Sequence, residues 1–151
     1  MMNSTLPVFR EPTAIEKFIN HAIRLLVGIG LGPSHIHVLE VHGRKSGKLY
    51  STPVDLLEIQ GKRYLVAPRG RTQWVRNAEV AGEISLKKGS TRQKFRLRPI
   101  PDAEKPPILK AYLDSFKREV QRYFPAVRAG SPPEAFAEVA ESYPAFELFP
   151  S

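Results

Sequence analysis

The sequence contains no cysteine in 151 residues. That excludes a disulfide scaffold, thiol catalysis and any Cys-ligated zinc or iron–sulfur site, and it suits a reducing, cytoplasmic compartment. Long apolar runs are missing too. The most apolar stretch, Ala22 to Leu31, is interrupted by Arg24 and falls short of the about 20 residues that a membrane-spanning helix needs. The first ten residues lack the basic-then-apolar order of a secretory leader. A soluble protein is expected, with contact at a membrane surface left open. No nucleophile-elbow serine and no paired-carboxylate motif is visible, so hydrolase chemistry has no apparatus here. There is one tryptophan.

Acids are scarce in one region. Between Arg44 and Arg98 stand fourteen Lys/Arg and four acids, Asp55, Glu58, Glu79 and Glu83, a net charge of +10. The whole chain carries +8, so the remainder is slightly acidic. A concentrated positive field gathers an anionic partner: nucleic acid, anionic lipid or a polyanionic small molecule. A solvated basic face with no ligand is the plainer alternative. Apolar residues make up 42% and charged residues 25%, a globular mixture, and the length suits one domain over 1–151.

What is present reads as a mostly antiparallel β protein with helices at its edges. Thr13 to Val27 has the spacing of an amphipathic helix, with Thr13 and Glu16 placed as a capping box. Strands are expected over Ile36–Val41, Tyr50–Ile59 and Arg63–Ala67, the last two joined at Gln60-Gly61. A short helix follows over Thr72–Ala81. A hairpin of Glu83–Lys88 and Arg92–Ile100 turns at Gly89-Ser90; Phe95 and Leu97 alternate with Lys94, Arg96 and Arg98, one face buried and one wet. The C-terminal third is helical: Ile108, Leu109, Tyr112, Leu113, Phe116, Val120 and Phe124 form one apolar stripe, and Ser131-Pro132-Pro133-Glu134 reads as a second capping box. The aromatic tail from Tyr143 to Phe149 is expected to pack back on the body. Five or six such strands suit a small barrel.

Two segments could hold an anion. Gly43-Arg44-Lys45-Ser46-Gly47-Lys48 is not a Walker loop: three residues separate its glycines, Leu49 follows Lys48, and it joins two strands. It still offers free backbone N–H groups, a hydroxyl and three cations, the parts of a phosphate or carboxylate cradle. Ala67 to Asn77 leaves a strand, turns at Gly70 and enters a helix whose first turns carry Gln73, Trp74, Arg76 and Asn77; a helix N-terminus attracts anions. His35, His37 and His42 lack a third ligand at clear spacing, so no metal site is expected. The wet strand face of Lys94, Arg96 and Arg98 has no stacking aromatic, which argues against nucleic acid.

At these residues the sequence resembles the deazaflavin (F420)-dependent nitroreductase family, within the split β-barrel superfamily that binds flavins and deazaflavins. The matching pieces are Gly43 to Gly47, Thr52-Pro53-Val54, Tyr64 to Pro68, Trp74-Val75-Arg76-Asn77, Ala81-Gly82 and Tyr143 to Leu148. The resemblance implies a split β-barrel and an oxidoreductase that passes a hydride from reduced coenzyme F420 to an electron-poor small molecule such as a quinone, enone or nitro compound. It places the coenzyme's phosphate and oligoglutamate tail near Arg44, Lys45, Ser46 and Gly47, and its ring over Thr52, Pro53 and Val54. It closes the site with Ala67, Pro68, Arg69, Gly70, Gln73, Trp74, Arg76 and Asn77. Tyr143, or Tyr50, is a candidate proton donor. Two departures bear on the entrance: Ala78-Glu79 stands where many relatives have Leu-Arg, and Arg69 and Arg71 flank Gly70. FMN or haem in the same barrel, or a deazaflavin-binding protein without activity, are the alternatives. A monomer or homodimer is expected, with no nucleic-acid partner.

Overall fold

The computed structural model describes residues 35–151; the helix expected over Thr13–Val27 lies outside them. The strands are β1 (Ile36–His42), β2 (Leu49–Asp55), β3 (Leu57–Ile59), β4 (Lys62–Val66), β5 (Glu83–Lys88), β6 (Thr91–Pro99) and β7 (Ala145–Pro150). Helix α1 (Gln73–Ala81) links β4 to β5, and α2 (Lys105–Ser115) opens the C-terminal third. All seven strands join one sheet in the order β2-β1-β5-β6-β7-β4-β3, and every pairing is antiparallel.

The sheet's two edges, β2 and β3, are separated by a single residue. Its ends therefore curl together at Leu56, whose amide donates to the His35 carbonyl (2.8 Å), one step beyond the Ile36–Asp55 pair. This is the expected split barrel, an α+β fold. It corrects the single strand read over Tyr50–Ile59: one chain segment feeds both edges, and it has to break where it crosses. Pro53 lies in β2, an edge strand, where a missing N–H interrupts no ladder on the outer side. The Gln60-Gly61 turn forms as read, with φ of 51° and 80°, the left-handed pair that a two-residue hairpin requires.

Alternation along β4 divides the interior in two. Leu65 and Ala67 pack with Leu39, Val41, Val75, Ala78, Ile84, Leu86, Phe95, Phe146 and Leu148 inside the barrel under α1. Tyr64 and Val66 face the other way, onto Leu109, Tyr112, Leu113, Phe124, Phe136 and Tyr143 of the helical third. Fully burying one such side chain contributes roughly 1.5–3 kcal/mol.

The aromatic tail does more than pack back. As β7 it is an interior strand, paired with β6 on one side and β4 on the other. The stripe expected as one helix from Ile108 to Phe124 is buried as read, but the helix breaks at Phe116 (φ −123°, ψ 31°). A short helix, Lys117–Val120, and a 3-10 turn, Gln121–Tyr123, follow. The capping box at Ser131 does not form: Pro132 is the N-cap of a 3-10 segment, Pro133–Ser142, and Ser131 Oγ instead accepts from the Arg128 amide (3.2 Å). Among the described residues no helix is long and apolar enough to cross a membrane.

Candidate active-site cleft

A cleft of about 710 Å³ runs along β2 between the 43–48 loop, the N-terminus of α1 and the helical third. The β1–β2 hairpin sets its axis. His42 pairs with Leu49 beside the loop, and Ile36 pairs with Asp55 at the far end. Six residue steps along a strand separate these ends by about 20 Å.

The loop end is cationic. Gly47 turns the loop at φ +75°, and its amide donates to the Gly43 carbonyl (3.0 Å). Gly43 is there for space, because a Cβ would stand 2.6 Å from Cε2 of Tyr50 and 3.1 Å from Ser46 Oγ. Arg44 ties the loop to α1: its backbone amide (3.0 Å) and Nη1 (2.8 Å) both donate to Oδ1 of Asn77, and Nη1 also donates to Gln73 Oε1 (3.0 Å). Asn77 is buried, 4% exposed, so its amide is a fixed acceptor. Both partners of the guanidinium are neutral, and no acid among the described residues compensates its charge. Lys45 has no hydrogen bond or ion pair among the described residues. Helix α1 has no acid in its first turn, and its N-cap, Thr72, makes no side-chain cap. Thr72 Oγ1 is buried with no partner among the described residues, on the cleft lining. An uncompensated cation, an uncapped helix N-terminus and an orphaned hydroxyl on one wall fit an anionic group.

The middle is apolar. Thr52, Pro53 and Val54 of β2 line it together with Leu39, Val41, Ala67, Pro68 and Trp74. Trp74 does two things at once: it lines the cleft and packs on the barrel core, 5.9 Å from the Phe146 ring.

The far end is acidic. Asp55, Glu119, Tyr112 and Tyr123 line it, and His35 Nε2 lies 3.3 Å from Asp55 Oδ1 and 2.9 Å from Glu119 Oε2. Burial pushes the Asp55 carboxyl up to about 6; the His35 charge pulls it down and Glu119 pushes it further up.

Of the residues singled out from the sequence, Arg44, Lys45, Ser46, Thr52, Pro53, Val54, Ala67, Pro68, Arg69, Gln73, Trp74 and Asn77 line the cleft. Gly47 and Gly70 act one step back, turning the two loops at φ +75° and +85°. Arg76 falls outside the lining. So does Tyr143, which is 1% exposed, stacks on Phe124 at 4.1 Å and donates its hydroxyl to the Tyr123 carbonyl. A buried phenol committed to a carbonyl is not placed to give a proton in the cleft. Tyr50 does line it. Asp55, Tyr112, Glu119, Arg122 and Tyr123 went unread. The one signal for them was a pair of charges, Glu119 and Arg122, set within an apolar stripe.

A model of the F420H(2)-dependent quinone reductase family matches residues 18–130 of the sequence. Among solved structures, a protein of unknown function from Agrobacterium tumefaciens has a TM-score of 0.56 at 18% identity; the match covers 86% of this chain and 54% of that one, so this chain spans about half of that relative's length. An F420-H2 dependent reductase, FDR-A, has a TM-score of 0.53 at 19% identity over 81% of this chain and 100% of its own. A Listeria innocua protein named for pyridoxamine 5′-phosphate oxidase has a TM-score of 0.51 at 10% identity, covering 78% of this chain and 84% of that one. These structural likenesses concern the fold. No curated protein matches the sequence.

Proposed function

The chain belongs to the F420H(2)-dependent quinone reductase family, and from that premise we propose that its cleft binds coenzyme F420 along β2 and serves hydride transfer to an electron-poor small molecule, a quinone, enone or nitro compound. The observation that carries this reading is the order of environments along one cleft. Arg44 is held by neutral amides and Lys45 has no ion pair among the described residues at one end, an apolar trough over Thr52 to Val54 lies in the middle, and a hydrogen-bonding end follows. F420 has the same order, with a polyanionic phosphate and oligoglutamate tail at one end and an aromatic ring at the other.

The reduced deazaflavin supplies the hydride when bound; the chain supplies binding and orientation. Arg44 and Lys45 hold the anionic tail, and charge-assisted hydrogen bonds make this the strongest part of the grip; the amides of Gly43, Arg44, Gly47 and Lys48 are spent on shaping the loop. Pro53 and Val54 form the floor for the ring, and Trp74 walls it from the α1 side. Alignment of ring and acceptor in a water-poor trough accounts for most of the rate. No nucleophile or metal is called on.

Fluorescence titration of the purified protein with F420, FMN and FAD tests the reading. F420 should bind most tightly, and its affinity should weaken as salt rises, because partly exposed charge pairs are screened. FMN binding as tight as F420 under the same conditions overturns the assignment.

A further inference from the structure

We propose that His35, Asp55 and Glu119 hold a shared proton at the far end of the cleft, and that Asp55 gives it to the acceptor's oxygen during reduction. This deepens the reading of the cleft as the site of an F420-dependent reduction, and rests on it.

Three elements that are distant in sequence converge to make the cluster. His35 leads into β1, Asp55 ends β2, and Glu119 sits on the Lys117–Val120 helix. Their nearest nitrogen and oxygen atoms all lie within 4.8 Å of one another. His35 Nε2 is 2.9 Å from one carboxylate and 3.3 Å from the other. A single ring nitrogen carries at most one hydrogen, so it cannot satisfy both. Two carboxylates sharing one donor are stabilised by a second proton between them. Phe116 stacks on the imidazole at 4.6 Å and 25°, which fixes the ring's plane.

Tyr112 is an independent sign that a ligand belongs here. It is 1% exposed, yet it lines the cleft, beside the charges of Asp55 and Glu119. Its hydroxyl is a donor that an acceptor's oxygen lying in the cleft would meet. Burial, then the charges of Asp55 and Glu119, push that hydroxyl well above its ordinary value. Tyr112 therefore stays a donor and positions the oxygen without titrating. The other ionisable groups around the cluster are Tyr123 and Arg122 of the 3-10 turn, where the guanidinium lies 4.8 Å over the Tyr123 ring, and His37 of β1, whose Nδ1 is 3.3 Å from the His35 carbonyl.

The step balances. A quinone becomes a hydroquinone by taking up one hydride and one proton. The hydride comes from the reduced deazaflavin, which is oxidised. The proton comes from the Asp55 carboxyl: its O–H bond breaks, the electron pair stays on the carboxylate, and a new O–H bond forms on the acceptor. Solvent then reprotonates Asp55. His35 and Glu119 are positioning residues, because they set which carboxylate holds the proton.

The first test needs no coenzyme. Carbon-13 NMR titration of the Asp55 carboxyl in the free protein should give a midpoint near 6. The midpoint should move down in Glu119→Gln, which removes a like charge, and up in His35→Gln, which removes an opposite one. Opposite shifts are not what a merely structural disturbance produces. A midpoint near an ordinary carboxylate's in all three proteins overturns the proposal. The second test is single-turnover reduction of menadione by the F420H2-loaded protein. Asp55→Asn should slow it about 100-fold at pH 7, with F420 affinity within twofold. Should Asp55→Asn fail to fold, Glu119→Gln, on a half-exposed side chain, reads the same loss. An unchanged rate overturns the proton proposal and leaves the coenzyme assignment standing; no F420 binding by the unaltered protein overturns that assignment instead. Stoichiometric Mn²⁺ or Zn²⁺ binding that Asp55→Asn abolishes would make the cluster a cation site and overturn the proposal as well.

Discussion

The two ends of the cleft treat charge in opposite ways. At the loop end Arg44 is surrounded by amides: Asn77 and Gln73 orient the guanidinium through its Nη1 and leave its charge in place. At the far end His35 is surrounded by charge: two carboxylates crowd one ring nitrogen, and one of them, Asp55, is pushed up to about 6. A neutral partner preserves a permanent charge for a ligand to meet. A charged partner turns the same kind of contact into a titrating system. One end is built to hold an anion at any ordinary pH; the other responds to pH, and the apolar floor of Thr52 to Val54 lies between them.

The largest expected effect comes from stripping the loop end. Arg44→Ala with Lys45→Ala should raise the F420 dissociation constant by at least about tenfold, since each charge-assisted hydrogen bond is worth about 1.5–3 kcal/mol. The loop itself should keep its place, because the Arg44 backbone amide still donates to Asn77 Oδ1. Circular dichroism and the melting temperature should therefore stay near those of the parent. Affinity that survives the double change would show that the amide-held cation is scaffold, and that the two ends do not differ in the way described.

The far end gives the next effect, and it is read in stability. Asp55 titrates near 6 in the folded protein and near about 3.9 in an unfolded chain. The folded state thus binds this proton more tightly. Its contribution is fully present below about pH 4 and is lost as pH rises through about 6. That difference between the folded and unfolded chain corresponds to a decline on the order of 2–3 kcal/mol. Urea midpoints between pH 4 and 7 should show Asp55→Asn falling less with pH than the parent over this window, while the Arg44→Ala, Lys45→Ala protein declines as the parent does. Parallel curves for the parent and Asp55→Asn would remove the electrostatic contrast between the ends.

The loop end was legible in the sequence and the far end was not, for a physical reason. Gly43 to Lys48 and Ala67 to Asn77 are local: turn glycines, a strand, a helix start. Each could be read from its own neighbours, and nine of the residues chosen in them line the cleft; Thr52, Pro53 and Val54, which line it too, were reached through the family resemblance. The cluster of His35, Asp55 and Glu119 depends on register and on a helix break. His35 meets Asp55 because β1 and β2 pair Ile36 with Asp55. Glu119 arrives 84 residues later in the chain, just past the break at Phe116. The fold divides likewise. The hairpins around Gln60-Gly61 and Gly89-Ser90 were plain. Strand β7 read only as an aromatic tail, because its partners β4 and β6 lie far back in the chain, Pro144 precedes it and Pro150 ends it. Nothing in Tyr50 to Ile59 marks Leu56 as the crossing point, since the requirement to close a curled sheet is not a local property.

The smallest expected effect tests whether pairing, and not sheer positive charge, is what distinguishes the loop end. Strand β6 carries four cations to the loop's three, outside the cleft, and Arg92, Lys94 and Arg98 among them have carboxylate partners. Arg92 donates through Nε (2.7 Å) and Nη2 (3.1 Å) to the two oxygens of Glu40. Lys94 lies 3.7 Å from Glu83, and Arg98 lies 3.2 Å from Glu104 and 3.0 Å from Glu147. Charges compensated in this way project little field, and at about 0.1 M salt what remains is screened beyond about 10 Å. Arg92→Ala with Lys94→Ala removes the same formal charge as the loop double change. It should leave the F420 dissociation constant within about twofold in moderate salt, with a slightly larger effect only at low ionic strength. A loss matching that of the loop variant would mean that the coenzyme is drawn by the summed field of the +10 middle segment. Arg44's neutral partners would then be incidental, and the contrast between the two ends would describe the cleft's walls but not its grip.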